Sequence, residues 1–429
     1  MCFLIHLALK MKRIAIGILL AMALLGCFAK KETSEVPEVL KTGTWRATIE
    51  IQEQLLPFNL DVEKDKADGY DIYLRNAEER ILLDEVSVKD NWVDIVLHVF
   101  DANIKARIHG DTLQGEFIKN YEKNYRIPFQ AVYGQSYRFE KAKSQENIAD
   151  FSGKYAVKFV HKADTTLAIG IFHQQGDSVT GTFLTPTGDY RYLQGNVVNG
   201  LLQLSTFDGN HAYLFRAFKQ PDGKLIGQYY SGKTRLEVWV AEKNENATLP
   251  DAEKITYLRE GYDRIAFSFP DVRGKKISLT DDKYKNKVVI LQLFGTWCPN
   301  CMDETRFLNP WYMENKNRGV EIIGLAYERK DDFTYARERV EKMIKKFDIR
   351  YDIVIAGTDN KAEASETLPM LNNIIAFPTT IIIGKDGKVK KIHTGFSGPG
   401  TGPYYEQFIQ HFNETVNELL AENLTSLNN

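Results

Sequence analysis

Residues 288–301 of this chain read VVILQLFGTWCPNC, and the chemistry is concentrated there. An apolar, β-branched run delivers Trp297-Cys298-Pro299-Asn300-Cys301 to the start of what the pattern predicts to be a helix. A thiol at a helix N-terminus meets unsatisfied backbone N–H groups and the positive end of the dipole, so its thiolate is stabilised. Two cysteines spaced Cys-x-x-Cys can close a small disulfide across the first turn, and an activated first sulfur can exchange with other disulfides. These residue types at this spacing therefore point to thiol–disulfide exchange. The blander readings are a static disulfide or half of a zinc site. Zinc takes four ligands, and no second Cys-x-x-Cys or Cys/His knuckle accompanies the pair, so no metal is expected.

A chain of 429 residues has room for two or three domains. With 26% charged residues and a net charge of −2 it has no basic excess, so nucleic acid is not an expected partner. Aromatics at 12%, including 21 Tyr and 24 Phe, fit a folded, β-rich protein. Near the start, Met11-Lys12-Arg13 is followed by an apolar run over residues 14–25 that ends in Leu24-Leu25-Gly26-Cys27. The run is short for a membrane span and has the length of a signal h-region. A small residue followed by Cys at its end resembles a bacterial lipobox. Residues 1–27 are thus expected to be a lipoprotein signal peptide with Cys27 as the lipid anchor. That places the protein in the bacterial cell envelope, membrane-bound through its lipid and facing the periplasm. Of 4 cysteines, Cys2 leaves with the signal and Cys27 carries lipid, so only Cys298 and Cys301 remain as thiols. Disulfides persist in an exported compartment.

The elements that must position the pair follow in order. Residues 28–41 (FAKKETSEVPEVLK) read as a polar tether. Short alternating strands with turn residues fill 42–145 and 146–245, predicting an all-β region built as a meander, sandwich or barrel. A weak echo within it raises the prospect of duplication. Gly43-Thr44-Trp45 matches Gly153-Lys154-Tyr155, and Leu113-Gln114-Gly115-Glu116-Phe117 matches Leu225-Ile226-Gly227-Gln228-Tyr229. Residues 246–260 read as a linker, and 261–429 alternate strands with helices. In that last part, strands are expected at 288–294, 320–327, 351–355, 379–383 and 389–393. Helices are expected after Cys298 and at 332–347, 362–371 and 404–420.

This order resembles the thioredoxin fold, and more narrowly the TlpA/ResA-type membrane-tethered disulfide reductases. The residues that carry the resemblance are the entry hairpin FSFPDVRGKKISL, the run FGTWCPNC, the insert at 331–371, and FPTTIIIGKDGKV, together covering about 265–420. It implies a C-terminal α/β thioredoxin-like domain behind the β-rich region. Cys298 would be the attacking sulfur and Cys301 the resolving one, so the redox-active disulfide would serve without a further cofactor. Pro378 would be a cis-proline facing the pair, and Phe377 before it would offer its backbone to an extended substrate. Trp297, Pro299 and Thr379 would complete the substrate surface. Thioredoxin has a buried Asp six residues before its first Cys; here that position is Gln292. Glu304, one helical turn beyond Cys301, is the replacement candidate for proton transfer. Arg306 stands where a kinking proline is frequent, and Pro310 comes four residues later.

Implied partners are cysteine-containing exported proteins and an integral membrane electron donor. Asn300 supplies no cation beside the pair, which favours reduction over oxidation. A thiol peroxidase on the same fold is the alternative enzyme, but the positions that would carry its Pro and Thr are Gln292 and Gly295. Another alternative is a binding or scaffold lipoprotein acting through its β-rich region. The histidines at 98, 109, 161, 173 and 211 form no cluster in the sequence and read as surface or core fillers.

Overall fold

Alternation governs the first half of the molecule. Ala102–His109 buries Ala102, Ile104, Ala106 and Ile108 while the intervening residues face outward, the period of a strand with one covered face. The computed structural model describes residues 39–140 and 148–422; the expected signal, Cys27 and most of the tether lie outside them.

Nine strands between Gly43 and Tyr133 form an antiparallel meander whose first strand, Gly43–Ile51, also pairs with the last, Arg126–Tyr133. Among the described residues the ladder is interrupted only between the neighbouring strands Glu79–Leu83 and Val86–Lys89. A second nine-stranded set closes fully. Gly153–His161 pairs with Arg235–Lys243 on one side and Asp164–Gln175 on the other, and Asp164–Gln175 pairs on with Ser178–Thr185. The two-residue strand Gly188–Asp189 hangs on Ser178–Thr185 as an appendage. Closure removes the exposed edges that invite aggregation. Phe159, Phe183, Phe215, Tyr229 and Trp239 fill the interior, with Phe215 and Tyr229 stacked at 4.5 Å. The β-rich region is thus two barrel-like sets, the first open at one seam and the second closed, within the expected all-β architecture.

The echoed residues fall at equivalent places in the two barrels. Trp45 and Tyr155 are buried on the first strand of each set, and Gly115 and Gly227 stand on the eighth. A Cβ on either glycine would come within 2.0 Å of a carbonyl oxygen of the neighbouring strand, Lys105 and Arg216 respectively. Glycine is required at both for the same close approach.

The third part is a mixed sheet in the order Asp352–Thr358, Val320–Glu328, Val288–Phe294, Thr379–Ile383, Val389–Thr394. The first three strands are parallel and the last two antiparallel. Every residue of Val288–Phe294 and of Val320–Glu328 is buried, so both faces of the sheet are covered, as an unbroken apolar run requires. Helices Pro299–Asn315, Phe333–Phe347, Lys361–Thr367 and Pro403–Ala421 accompany it. The helix expected over 362–371 ends at Thr367, because Leu368 precedes Pro369 and takes an extended φ of −130°. Pro310 lies inside Pro299–Asn315.

The candidate redox site

The central strand Val288–Phe294 ends just before the site and the helix Pro299–Asn315 begins in it. Cys298 is the N-cap of that helix, with extended φ −102° and ψ 110°, and its sulfur accepts the Cys301 backbone N–H at 3.2 Å. Pro299 suits the first helical position, where a missing N–H costs nothing. Cys298 and Cys301 are joined as a disulfide, their Cα atoms 5.2 Å apart. Cys301 is fully buried and Cys298 is 5% exposed, so Cys298 is the sulfur on the solvent side.

Opposite the pair, the Phe377–Pro378 peptide is cis, and the Phe377 carbonyl oxygen lies 3.6 Å from Cys298 Sγ. The thiol form of Cys298 can donate to that oxygen. The Pro378 carbonyl accepts the Gly395 N–H at 2.9 Å, tying this loop to the segment 395–398. Thr379 is buried and its hydroxyl donates to the Ala376 carbonyl at 2.8 Å, holding the loop from inside. Half-buried Trp297 donates its indole N–H to the Tyr327 carbonyl at 2.9 Å and meets the Phe377 ring edge-on at 5.9 Å. The Arg329 guanidinium lies 4.2 Å from the centroid of its ring.

Glu304 lies fully buried behind Cys301. It accepts the Gln292 amide at 2.8 Å and the Thr380 hydroxyl. Burial pushes its carboxyl up to about 7, against the lowering effect of those two hydrogen bonds. The same Gln292 amide lies 3.4 Å from the Cys301 carbonyl and 3.2 Å from the Thr305 hydroxyl. Gln292 thus replaces an acid with a donor that orients another acid. Sequence reasoning singled out Thr379, whereas Thr380, its neighbour, is the residue that touches Glu304.

Glu328 was not foreseen. It is buried at the end of Val320–Glu328 and accepts both the Thr296 N–H and hydroxyl at 2.8 Å, fixing the turn just before Trp297. Burial pushes it up to about 7 as well. Arg306 pairs with Asp303 at 2.9 Å and reaches His98 Nε2 at 3.1 Å. His98 and His211 are therefore engaged side chains rather than fillers, His211 lying 3.0 Å from Asp208. His98 meets its partner from over two hundred residues away, beyond any local sequence signal, whereas His211 and Asp208 are three residues apart within one turn.

A disulfide across the first turn of a helix that Cys298 caps, a facing cis-proline and a mixed five-stranded sheet define a thioredoxin-fold oxidoreductase site. The Redoxin family matches residues 245–409. Thiol-disulfide oxidoreductase ResA of Bacillus thuringiensis subsp. konkukian (strain 97-27) is 36% identical over 123 residues, 29% of this chain and 62% of the relative. ResA of Bacillus subtilis (strain 168) is 30% identical over 150 residues, 35% of this chain and 74% of the relative. The chain belongs to this family of ResA-type thiol-disulfide oxidoreductases. It spans 62% of the length of the first relative, and the match is confined to roughly a third of its own residues. Among solved structures, a thiol:disulfide interchange protein of the thioredoxin family from Chlorobium tepidum TLS is 22% identical. That alignment covers 38% of this chain and 99% of the other, with a TM-score of 0.29.

Proposed function

We propose that the protein reduces disulfides of exported cysteine-containing proteins by dithiol exchange through Cys298 and Cys301. The observation that carries this reading is the paired sulfurs at the helix N-terminus beside the cis Phe377–Pro378 peptide. In the reduced protein, the Cys298 thiolate attacks one sulfur of the substrate disulfide. A mixed disulfide forms, and the other substrate sulfur leaves as a thiolate and takes a proton. Cys301 then loses its proton and attacks Cys298 Sγ, closing Cys298–Cys301 and releasing the second substrate thiol. Two electrons pass to the substrate, both from the two sulfurs.

Glu304 is the proposed acceptor of the Cys301 proton. Its pKa of about 7 suits proton transfer near neutrality, and burial keeps water from levelling it. Half-buried Trp297 and the buried Pro299, Phe377 and Pro378 are the residues against which substrate would lie, with Thr379 supporting the loop. An integral membrane dithiol donor would restore the reduced pair. Cys27 would tether the chain by lipid to an envelope membrane, with the redox site in the periplasm.

Thiol trapping and mass spectrometry across a dithiothreitol and glutathione series test the reading. A potential near or below roughly −230 mV supports reduction, and one near about −120 mV would make the protein an oxidant instead. Failure of Cys298 and Cys301 to interconvert between dithiol and disulfide would end the redox reading.

A further inference from the structure

The residues on both sides of Cys298 are held by the second barrel. Asn210 donates its side-chain amide to the Trp297 carbonyl at 2.8 Å. Arg191 donates to the Pro299 carbonyl at 3.1 Å. Asn300, in turn, donates its amide to the Asp189 carbonyl at 3.2 Å. The turn before Asp189 packs so closely on Gly395 that a Cβ there would meet the Thr187 carbonyl carbon at 2.6 Å. From Val39 onward the chain is one compact unit, and these contacts are part of its interior.

Both donors are themselves fixed. Arg191 is 2% exposed with a left-handed φ of +58°. Its guanidinium also binds Asp303 on the helix that Cys298 caps and Glu79 of the first barrel, and lies 3.6 Å from Asp208. Asn210 accepts the Tyr121 hydroxyl at 3.1 Å, and its backbone N–H bonds Asp208 at 2.9 Å. Such pairing is a costly arrangement to bury and is strongly destabilising to break. A linker-tethered neighbour with no role at the site needs no polar contacts on these particular carbonyls.

We infer that Arg191 and Asn210 are positioning residues of the Cys298–Cys301 centre, so that the second barrel completes the redox site. The inference rests on the dithiol-exchange reading above. The carbonyls of Trp297 and Pro299 carry partial negative charge beside the sulfur. A donor on each draws that charge away and locks the N-cap geometry that places Cys298 Sγ under the Cys301 N–H. Loss of either donor therefore weakens thiolate stabilisation and, with it, the reduced form.

The test uses the whole chain from Val39 with Asn210→Ala, Arg191→Lys and Lys342→Ala. Lys342 pairs with Glu85 of the first barrel, so among the described residues it joins a barrel to the thioredoxin-like part with no hydrogen bond or ion pair to residues 297–301. Two readouts are taken: the equilibrium with glutathione, and the pH profile of Cys298 alkylation in the reduced protein. Asn210→Ala is expected to move the equilibrium three- to tenfold toward the disulfide, tenfold being about 30 mV, and the alkylation profile toward higher pH. Arg191→Lys keeps the charge without the fork and is expected to shift both readouts the same way, while Lys342→Ala shifts neither. Unchanged readouts in both site variants would overturn the inference, as would an equal shift in Lys342→Ala. If the parent protein itself fails to cycle, the dithiol-exchange reading falls instead, and the two failures are distinguishable.

Discussion

Replacing Glu304 by Gln isolates the buried carboxyl behind Cys301. Its pKa stands at about 7 against an ordinary 4.5, with burial as the dominant cause. At roughly 1.4 kcal/mol per pH unit, that gap corresponds to about 3 kcal/mol. The sign follows from the direction of the shift. Folding favours the protonated form, so the contribution is full below pH 4.5 and is lost as pH rises through about 7. Glutamine cannot ionise. Its side-chain oxygen can still accept the Gln292 amide while its N–H donates to the Thr380 hydroxyl, and any offset is constant with pH. The difference in unfolding free energy between Glu304→Gln and the parent is therefore expected to change by about 3 kcal/mol in the variant's favour between pH 4.5 and pH 8. Denaturant melts of the oxidised proteins at half-unit pH steps measure this without coupling to free thiols. Other titrating groups, Glu328 and Asp189 among them, are common to both proteins and cancel. A difference that stays flat across this range would refute the burial argument. It would also remove the reason for assigning proton transfer to Glu304. Where the argument holds, resolution of the mixed disulfide in Glu304→Gln should slow by about two orders of magnitude at neutral pH.

Cys301→Ser should trap Cys298 in a stable mixed disulfide with a model disulfide peptide, visible by mass spectrometry, whereas Cys298→Ser should form none. Asp208 is held down at about 2; burial opposes this, but His211, Arg191 and backbone donors outweigh it. Asp208→Asn should therefore cost about 2 kcal/mol at pH 7. Because the folded pKa is depressed, that difference is present above pH 3.8 and narrows as pH falls through about 2, which melts at low pH can follow. Trp239, fully buried in the second barrel, should cost about 3–5 kcal/mol on truncation to Ala, read as a lower denaturant midpoint.

The fold was legible where periodicity and local chemistry agree. The alternating burial of Ala102–His109 and the unbroken apolar run Val288–Phe294 each state their structural class in a few residues. The echo between Gly115 and Gly227 was legible because a close backbone approach excludes every side chain at both places. Barrel closure was not, since pairing between Gly153–His161 and Arg235–Lys243 depends on register across some eighty intervening residues. At the site, Cys298, Cys301 and Glu304 follow from spacing along one helix. Gln292 could be flagged only as a departure, because its role depends on what Glu304 and Thr380 bring from other elements.

The same distinction explains why the second barrel's part in the site was hidden. Arg191 and Asn210 lie more than eighty residues before Cys298, in connections between strands whose text reads as ordinary β structure. Their side chains act on backbone carbonyls, which leave no trace in the identity of Trp297 or Pro299. A buried arginine is the one signal in retrospect, since a guanidinium is retained inside a protein only where several acceptors converge on it. Here the acceptors are Glu79, Asp303 and the Pro299 carbonyl, with Asp208 as a nearby counter-charge, drawn from the first barrel, the second barrel and the active-site helix. That convergence ties the shape of the redox centre to the docking of all three parts. A change in how the barrels sit should thus be read out at Cys298 before it is read out in the fold of the thioredoxin-like domain.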